Sequence, residues 1–219
     1  MDVQAEAAEI RAEIAALPRR DTPSMRALRK RRSTELKAHP AADVIALAQA
    51  LERASPQEGK WVGYELIRFH PGAFAIVGEA QIEDFAGHIA SWYATDAFGT
   101  ILSGPLWAKA RLPDAMFDAW SHSESRWLRR SALVATVGRN ATRPNPASTF
   151  ALCLRLAADR DDMVEKAVSW ALRYLSQKDR PAVEAFWAEH GDSFAPRVKR
   201  EVRHKLATGV KNPRRSGGS

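Results

Sequence analysis

Helix starts recur about every 17–20 residues along almost all of this 219-residue chain, and this spacing limits the fold more than any other feature. Apolar residues repeat at intervals of three and four, as in the stripe Val44, Leu47, Ala48 and Leu51. Alternating β-branched runs bounded by turns do not appear. Two consecutive helices therefore form a unit of about 40 residues, which is the period of HEAT and armadillo repeats. The pattern predicts an all-α chain of about five to six antiparallel helical pairs.

The individual helices are bounded by caps and breakers. Thr22-Pro23, Ser55-Pro56 and Asp179-Arg180-Pro181 each indicate a capped helix start, while Gly138 and Gly191 indicate breaks. The predicted helices cover residues 3–17, 23–38, 41–54, 56–69, 80–92, 94–109, 113–120, 124–137, 146–158, 161–176, 180–190 and 194–207. We predict one helical-repeat domain over 1–207 and a flexible basic tail over 208–219.

No sequence motif repeats with this period, so spacing alone supports the repeat architecture, and a plain helical bundle is the alternative. In a HEAT-like α-α superhelix, stacked pairs form an extended concave face. A duplex can lie in a groove of that shape. The predicted fold therefore includes a concave face that we expect to bind DNA.

Basic residues are concentrated near the two ends of the chain. From Pro196 onward there are eight basic residues and one acidic residue, so this segment carries the whole net charge of +7. A second cluster contains Arg26, Arg29, Lys30, Arg31, Arg32 and Lys37. Concentrated positive charge favours a polyanionic partner, with nucleic acid first. The alternative is a solvated helix face followed by a loose basic tail.

The sequence argues against several kinds of chemistry. The single cysteine, Cys153, lies in an apolar run that predicts a core residue, and it rules out a disulfide within the chain. The six histidines are scattered without metal-ligand spacing, and no phosphate loop or nucleophile elbow is present. We expect no metal and no cofactor. Without a secretory leader or a membrane-spanning run, we expect a cytoplasmic monomer that does not bind membranes.

Three segments could carry chemistry instead. In the first, Trp92 and Asp96 are four residues apart, so on a continuous helix they share one face, and an indole beside a carboxylate attracts positive charge. The alternative is that Trp92 is a core residue and Thr95-Asp96 caps a helix. The second segment, 125–133, includes Arg129 and Arg130, which suit phosphate or form a solvated face.

The third segment, 165–173, contains Trp170 on a helical stripe of small residues, where a tryptophan is either a core residue or part of a site. Together and in this order, the three segments resemble the AlkD-like family of bacterial DNA alkylation repair glycosylases. The resemblance covers roughly residues 20–190 and includes the stretches 21–28 and 60–65. Ser169 stands where the family pattern has glycine.

This resemblance implies a HEAT-like solenoid that holds DNA on its concave side. It implies that Asp96 is the catalytic carboxylate, that Trp92 and Trp170 flank the damaged nucleotide, and that Arg130 contacts the backbone, with Arg129 as the alternative. The predicted DNA-binding set is Arg129, Arg130, Lys166 and Arg173.

The implied activity is that of a monofunctional, metal-independent hydrolase. It cleaves the N-glycosidic bond of cationic N3- or N7-alkylated purines in double-stranded DNA, without a base-binding pocket. Two other functions stay open from the sequence. One is a non-catalytic DNA-binding or damage-sensing solenoid, and the other is a protein–protein scaffold.

Overall fold

The computed structural model describes residues 1–53 and 57–210, and every regular element in these ranges is helical. The α-helices are α1 (Val3–Ala16), α2 (Thr22–Glu35), α3 (Ala41–Arg53), α4 (Gln57–Phe69), α5 (Pro71–Ile76), α6 (Glu79–Gly87), α7 (Trp92–Ala97), α8 (Gly104–Ala108), α9 (Asp114–Ser121), α10 (Arg126–Asn140), α11 (Pro146–Arg155), α12 (Asp162–Leu175), α13 (Arg180–His190) and α14 (Pro196–Thr208). A π-helical segment, Phe98–Ser103, joins α7 to α8, and short 3₁₀ turns cover Leu36–Ala38 and Gly191–Ser193.

The helices form two layers. In the inner layer α2 packs on α4, α4 on the α7–α8 segment, that segment on α10, α10 on α12, and α12 on α14. In the outer layer α9 packs on α11 and α11 on α13. Along residues 1–53 and 57–210, each inner helix follows an outer one, which gives six helical pairs and confirms the predicted all-α solenoid. In the described ranges, no helix is both long and apolar enough to cross a membrane.

The largest departure from the predicted helices lies next to the candidate site. The sequence placed a helix over 80–92 and the next over 94–109, whereas α6 ends at Gly87 and a new helix starts at Trp92. Ser91 caps this start, because its hydroxyl accepts a hydrogen bond from the amide of Ala94. Trp92 and Asp96 therefore share one helix, and the alternative in which Thr95-Asp96 forms the cap is wrong.

Smaller differences concern helix ends. The cap of α2 is Asp21, which accepts from the Ser24 amide, and not Thr22. Asp179 caps α13 as predicted, while Ser55-Pro56 lies outside the described residues. Helix α5 was not predicted, since at six residues it is too short for a periodic stripe.

The crossing of the α7–α8 segment over α10 depends on three glycines. A Cβ atom at Gly99, Gly104 or Gly138 would lie well under 3.0 Å from atoms of the facing helix. Gly138 lies inside α10, so its predicted role as a helix breaker is wrong. Close backbone approach at this crossing fixes the position of α7 relative to α10, and therefore of the side chains that the two helices present to the inner face.

Half of the N-terminal basic cluster is engaged in ion pairs within the fold. Arg32 is buried and bonded to glutamates of α1 and α2, including Glu13 at 2.8 Å, and Arg31 also binds Glu13. Arg29 forms a buried pair with Glu65 of α4 at 2.6 Å. Half of the cluster is thus neutralised by carboxylates of α1, α2 and α4. The sequence count therefore overstated the charge available to a polyanion.

Candidate active site

Two recesses on the inner face share one wall, and Asp96 forms that wall. The first, with a volume of about 510 Å³, is called the basic recess, since five cations and two carboxylates contribute to it. Its residues from α10, α12 and α14 include Arg130, Lys166, Trp170, Arg173, Arg197, Glu201 and Lys205. The second, of about 580 Å³, is called the aromatic recess, and includes Met25, Trp61, Glu65, Trp92, Tyr93 and Ile101.

Asp96 is held by Arg130 from the neighbouring inner helix. The Arg130 guanidinium donates from Nε at 3.0 Å and from Nη2 at 2.7 Å, and both hydrogen bonds end on Oδ1 of Asp96. Its third nitrogen, Nη1, donates to the carbonyl of Met163 at 2.5 Å. Among the described residues, Oδ2 of Asp96 accepts no hydrogen bond, so one oxygen is fixed by Arg130 and the other is not.

The Asp96–Arg130 pair is largely buried, and the charge of Arg130 opposes the effect of burial on the pKa of Asp96. Arg130 is only 6% exposed and Asp96 is 25% exposed at the side chain. Burial raises the pKa of Asp96 above its ordinary value of 3.8, and the charge and hydrogen bonds of Arg130 oppose that shift. A raised pKa in a cleft is typical of functional carboxylates.

The two predicted tryptophans lie on either side of Asp96. Trp92 is 54% exposed and lines the aromatic recess, so its interpretation as a core residue is wrong. Trp170 packs partly against the core and also lines the basic recess, so both of its interpretations hold in part. The structure therefore brings Trp92, Asp96 and Trp170 to one surface, with Arg130 in direct contact with the carboxylate.

Arg129 and Arg130 follow each other in sequence but have different surroundings. Arg129 donates to Asp159 at 2.7 Å and to the carbonyls of Ser123 and Glu124, and it lines neither recess. Adjacent residues of a helix point about 100° apart, so only one of the two arginines can face Asp96. The geometry favours Arg130 over Arg129 as the arginine of the site.

Lys166 and Arg173, the other predicted DNA-binding residues, both line the basic recess but differ in their exposure to solvent. Lys166 is half exposed and its ammonium contacts Asp162 at 2.6 Å. Arg173 is largely buried, and its Nε donates to the Ser169 hydroxyl at 3.0 Å. That hydroxyl in turn donates to Glu201 at 2.6 Å. Ser169, which replaces the glycine of the family pattern, thus joins α12 to α14, and Arg173 is engaged within the protein.

Sequence reasoning missed several residues of the two recesses. Arg197, Glu201 and Lys205 repeat at intervals of four on α14 and line the basic recess. Trp61 and Glu65 have the same spacing on α4 and line the aromatic recess. This i, i+4 spacing is the signal that could have found them, because such residues share one helix face.

The fold and site together define a class: a helical solenoid with a carboxylate, a guanidinium and two tryptophans on its inner face. Residues 21–206 match the family of DNA alkylation repair enzymes, and the chain belongs to that family. No curated protein matches the chain significantly.

One solved structure supports the fold. It is a protein of Enterococcus faecalis described as a predicted DNA alkylation repair enzyme, with a TM-score of 0.71 and 20% sequence identity. The match covers 94% of this chain and 96% of that one. At this identity the likeness shows the solenoid and nothing finer.

Proposed function

We propose that this protein is a DNA glycosylase that releases cationic N3- or N7-alkylated purines from duplex DNA by hydrolysing the N-glycosidic bond. The observation that carries the proposal is the Asp96 carboxylate, held through Oδ1 by Arg130 with Oδ2 unbonded, on the wall between two recesses. Membership in the DNA alkylation repair enzyme family supports the same assignment.

The chemistry needs little beyond a positioned negative charge. An N3- or N7-alkylated purine is already cationic, so it leaves with the electron pair of the glycosidic bond and becomes neutral without a general acid. The sugar develops oxocarbenium character, which the nearby carboxylate stabilises. Water adds to C1′, its proton passes to solvent, and an abasic site remains. Trp92 and Trp170 offer electron-rich faces to the positively charged sugar.

Arg130 acts here as a positioning residue for Asp96. It keeps the carboxylate ionised and leaves Oδ2 as the oxygen that faces a substrate. The cations of the basic recess other than Arg130 and Arg173 supply attraction for the phosphates that flank the lesion; they are Lys166, Arg197 and Lys205. Action as a monomer and a cytoplasmic location stay predictions from the sequence.

The direct test is base release from duplex DNA that contains N7-methylguanine, measured as abasic sites under single-turnover conditions. We expect release by the wild type and a loss of about 10²–10³ in rate for Asp96→Asn. Asp159→Asn is the matched control, because Asp159 is also a carboxylate bonded to an arginine of α10 but lines neither recess. We expect it to retain release.

Undiminished release by Asp96→Asn would refute the role of Asp96. Binding of DNA without any release would instead favour the non-catalytic damage-sensing function.

A further inference from the structure

We propose that the Ser169 hydroxyl, through its hydrogen bond to Glu201, positions α14 so that Arg197 and Lys205 meet the DNA phosphates. This inference rests on the proposed function and deepens it, since it names the contact that orients the phosphate-binding helix. Ser169 stands where the family pattern has glycine, and glycine has no hydroxyl. The contact is therefore a property of this chain and not of that pattern.

Three side chains of α14 form one stripe on the wall of the basic recess. Arg197, Glu201 and Lys205 follow each other at intervals of four, so they share one face of the helix. A rise of about 1.5 Å per residue places the two cations about 12 Å apart along the helix axis, with the carboxylate midway. Any rotation of α14 about its axis moves all three side chains together, so a contact that holds Glu201 also holds both cations.

The contact that holds Glu201 comes from a buried hydroxyl of α12. Ser169 is fully buried, and its Oγ donates to Oε2 of Glu201 at 2.6 Å. The same Oγ accepts a hydrogen bond from Nε of Arg173 at 3.0 Å. The Nη2 atom of Arg173 lies 3.5 Å from Oε2 of Glu201. Two side chains of α12 thus hold one carboxylate oxygen, and a short hydrogen bond to an ionised acceptor is stronger than one between neutral groups.

Apolar packing sets the rotation of α14 less sharply than this hydrogen bond does. The main packing partner of α14 is α12, and the buried side chains of α14 are Val198 and Val202. Contact between apolar side chains has no preferred direction, whereas a hydrogen bond weakens steeply as its angle changes. Among the rotations that keep both valines buried, the Ser169–Glu201 bond therefore selects the one in which the cations face the recess.

The basic recess keeps positive charge for phosphates after its internal ion pairs are subtracted. Two of its five cations are paired with its two carboxylates, as described above. Of the other three, Arg197 contacts Asp162 at 2.7 Å, and Lys166 contacts the same carboxylate at 2.6 Å. Asp162 is half exposed, and an exposed ion pair contributes little, so a phosphate can replace it. Lys205 has no carboxylate partner in the part of the chain that the structure describes, so three cations face one carboxylate.

The test is the salt dependence of binding to an undamaged DNA duplex. The slope of log affinity against log salt counts the phosphates that cations contact, at about 0.9 per contact. We expect Ser169→Ala to reduce this slope by about two contacts, since the hydroxyl positions both Arg197 and Lys205. Ser176→Ala is the matched control, because Ser176 is a buried serine at the end of α12 whose hydroxyl donates to the carbonyl of Arg173 in the same helix. We expect this control to keep the wild-type slope.

Two variants of Glu201 separate its position from its charge. Glu201→Gln keeps an oxygen that accepts from the Ser169 hydroxyl, so we expect a slope close to that of wild type. Glu201→Ala removes the acceptor, so we expect the same loss of slope as in Ser169→Ala, although a negative charge leaves the recess. A gain of affinity without loss of slope in Glu201→Ala would show that Glu201 acts only by its charge, and would overturn the proposal. Thermal melting reports whether each variant is folded.

A double-mutant cycle tests whether the hydroxyl acts through the two cations. In a protein that carries Arg197→Ala and Lys205→Ala, we expect Ser169→Ala to change the slope no further. A further loss of slope in that protein contradicts the proposal, since the hydroxyl would then act through other groups. A folded Ser169→Ala protein with the wild-type slope contradicts it as well, because the contact would then serve stability alone.

Base release by the wild type separates this inference from the proposed function. If N7-methylguanine is released but the slope does not depend on Ser169, the glycosylase assignment stands and the positioning of α14 is overturned. If the slope falls as expected but no base is released, the positioning of α14 stands and the glycosylase assignment is overturned.

Discussion

The pH dependence of base release tests the coupling between Arg130 and Asp96. Asp96 must be ionised to stabilise a positively charged sugar, so activity is lost as pH falls through its pKa. Burial raises this pKa above 3.8 in the folded protein, and Arg130 lowers it. The acid limb of the wild-type rate profile is therefore expected above pH 3.8.

Replacing Arg130 with Gln removes the opposing charge and leaves the burial. A cation in contact with a carboxylate lowers the pKa of that carboxyl by about 1–3. Because Asp96 is a quarter exposed, screening by water favours the lower end of this range. We expect the acid limb of Arg130→Gln to move upward by about one pH unit, which corresponds to a tenfold lower rate at a fixed pH below the limb.

The assay is single-turnover release of N7-methylguanine between pH 4 and 8, with the uncatalysed loss at each pH subtracted. Arg130→Lys keeps the charge without the fork of the guanidinium, so its acid limb should stay near that of wild type. Arg129→Gln is the matched control, because Arg129 contacts Asp159 and not Asp96. An acid limb that stays in place in Arg130→Gln would refute the argument that Arg130 sets the ionisation of Asp96.

Two further predictions concern packing and DNA binding. Gly138→Ala should destabilise the fold by about 1–3 kcal/mol or more in chemical denaturation, because the added methyl group meets the backbone of the α7–α8 segment. Gly87→Ala, with open space around it, should cost nothing, and equal stability of both variants would contradict the packing argument. Lys205→Ala should reduce the slope of log affinity against log salt by about one contact, since Lys205 lines the basic recess. Arg203→Ala, which removes a cation paired with Asp192 outside the recess, should leave that slope unchanged, and identical slopes in both variants would show that Lys205 does not meet phosphate.

The sequence by itself predicted the fold class, which the structure confirms, and it placed Trp92, Asp96 and Trp170 among the candidate site residues. Helical spacing predicted the solenoid, with a plain helical bundle as the alternative, because periodicity and helix starts are local properties of the chain. The spacing of Trp92 and Asp96 indicated a shared helix face, although the predicted helix boundary fell between them. Cys153 was predicted to be a core residue, and it is fully buried.

Only the tertiary structure decided which charges are available and which are engaged. From the sequence, Arg31 and Arg32 were counted as positive charge available to a polyanion, yet glutamates of α1 neutralise them. Arg130 could not be separated from Arg129 until α10 was placed against α7. The reason is that a charge is a property of one residue, whereas its partner, its burial and the direction of its side chain depend on which helices pack together.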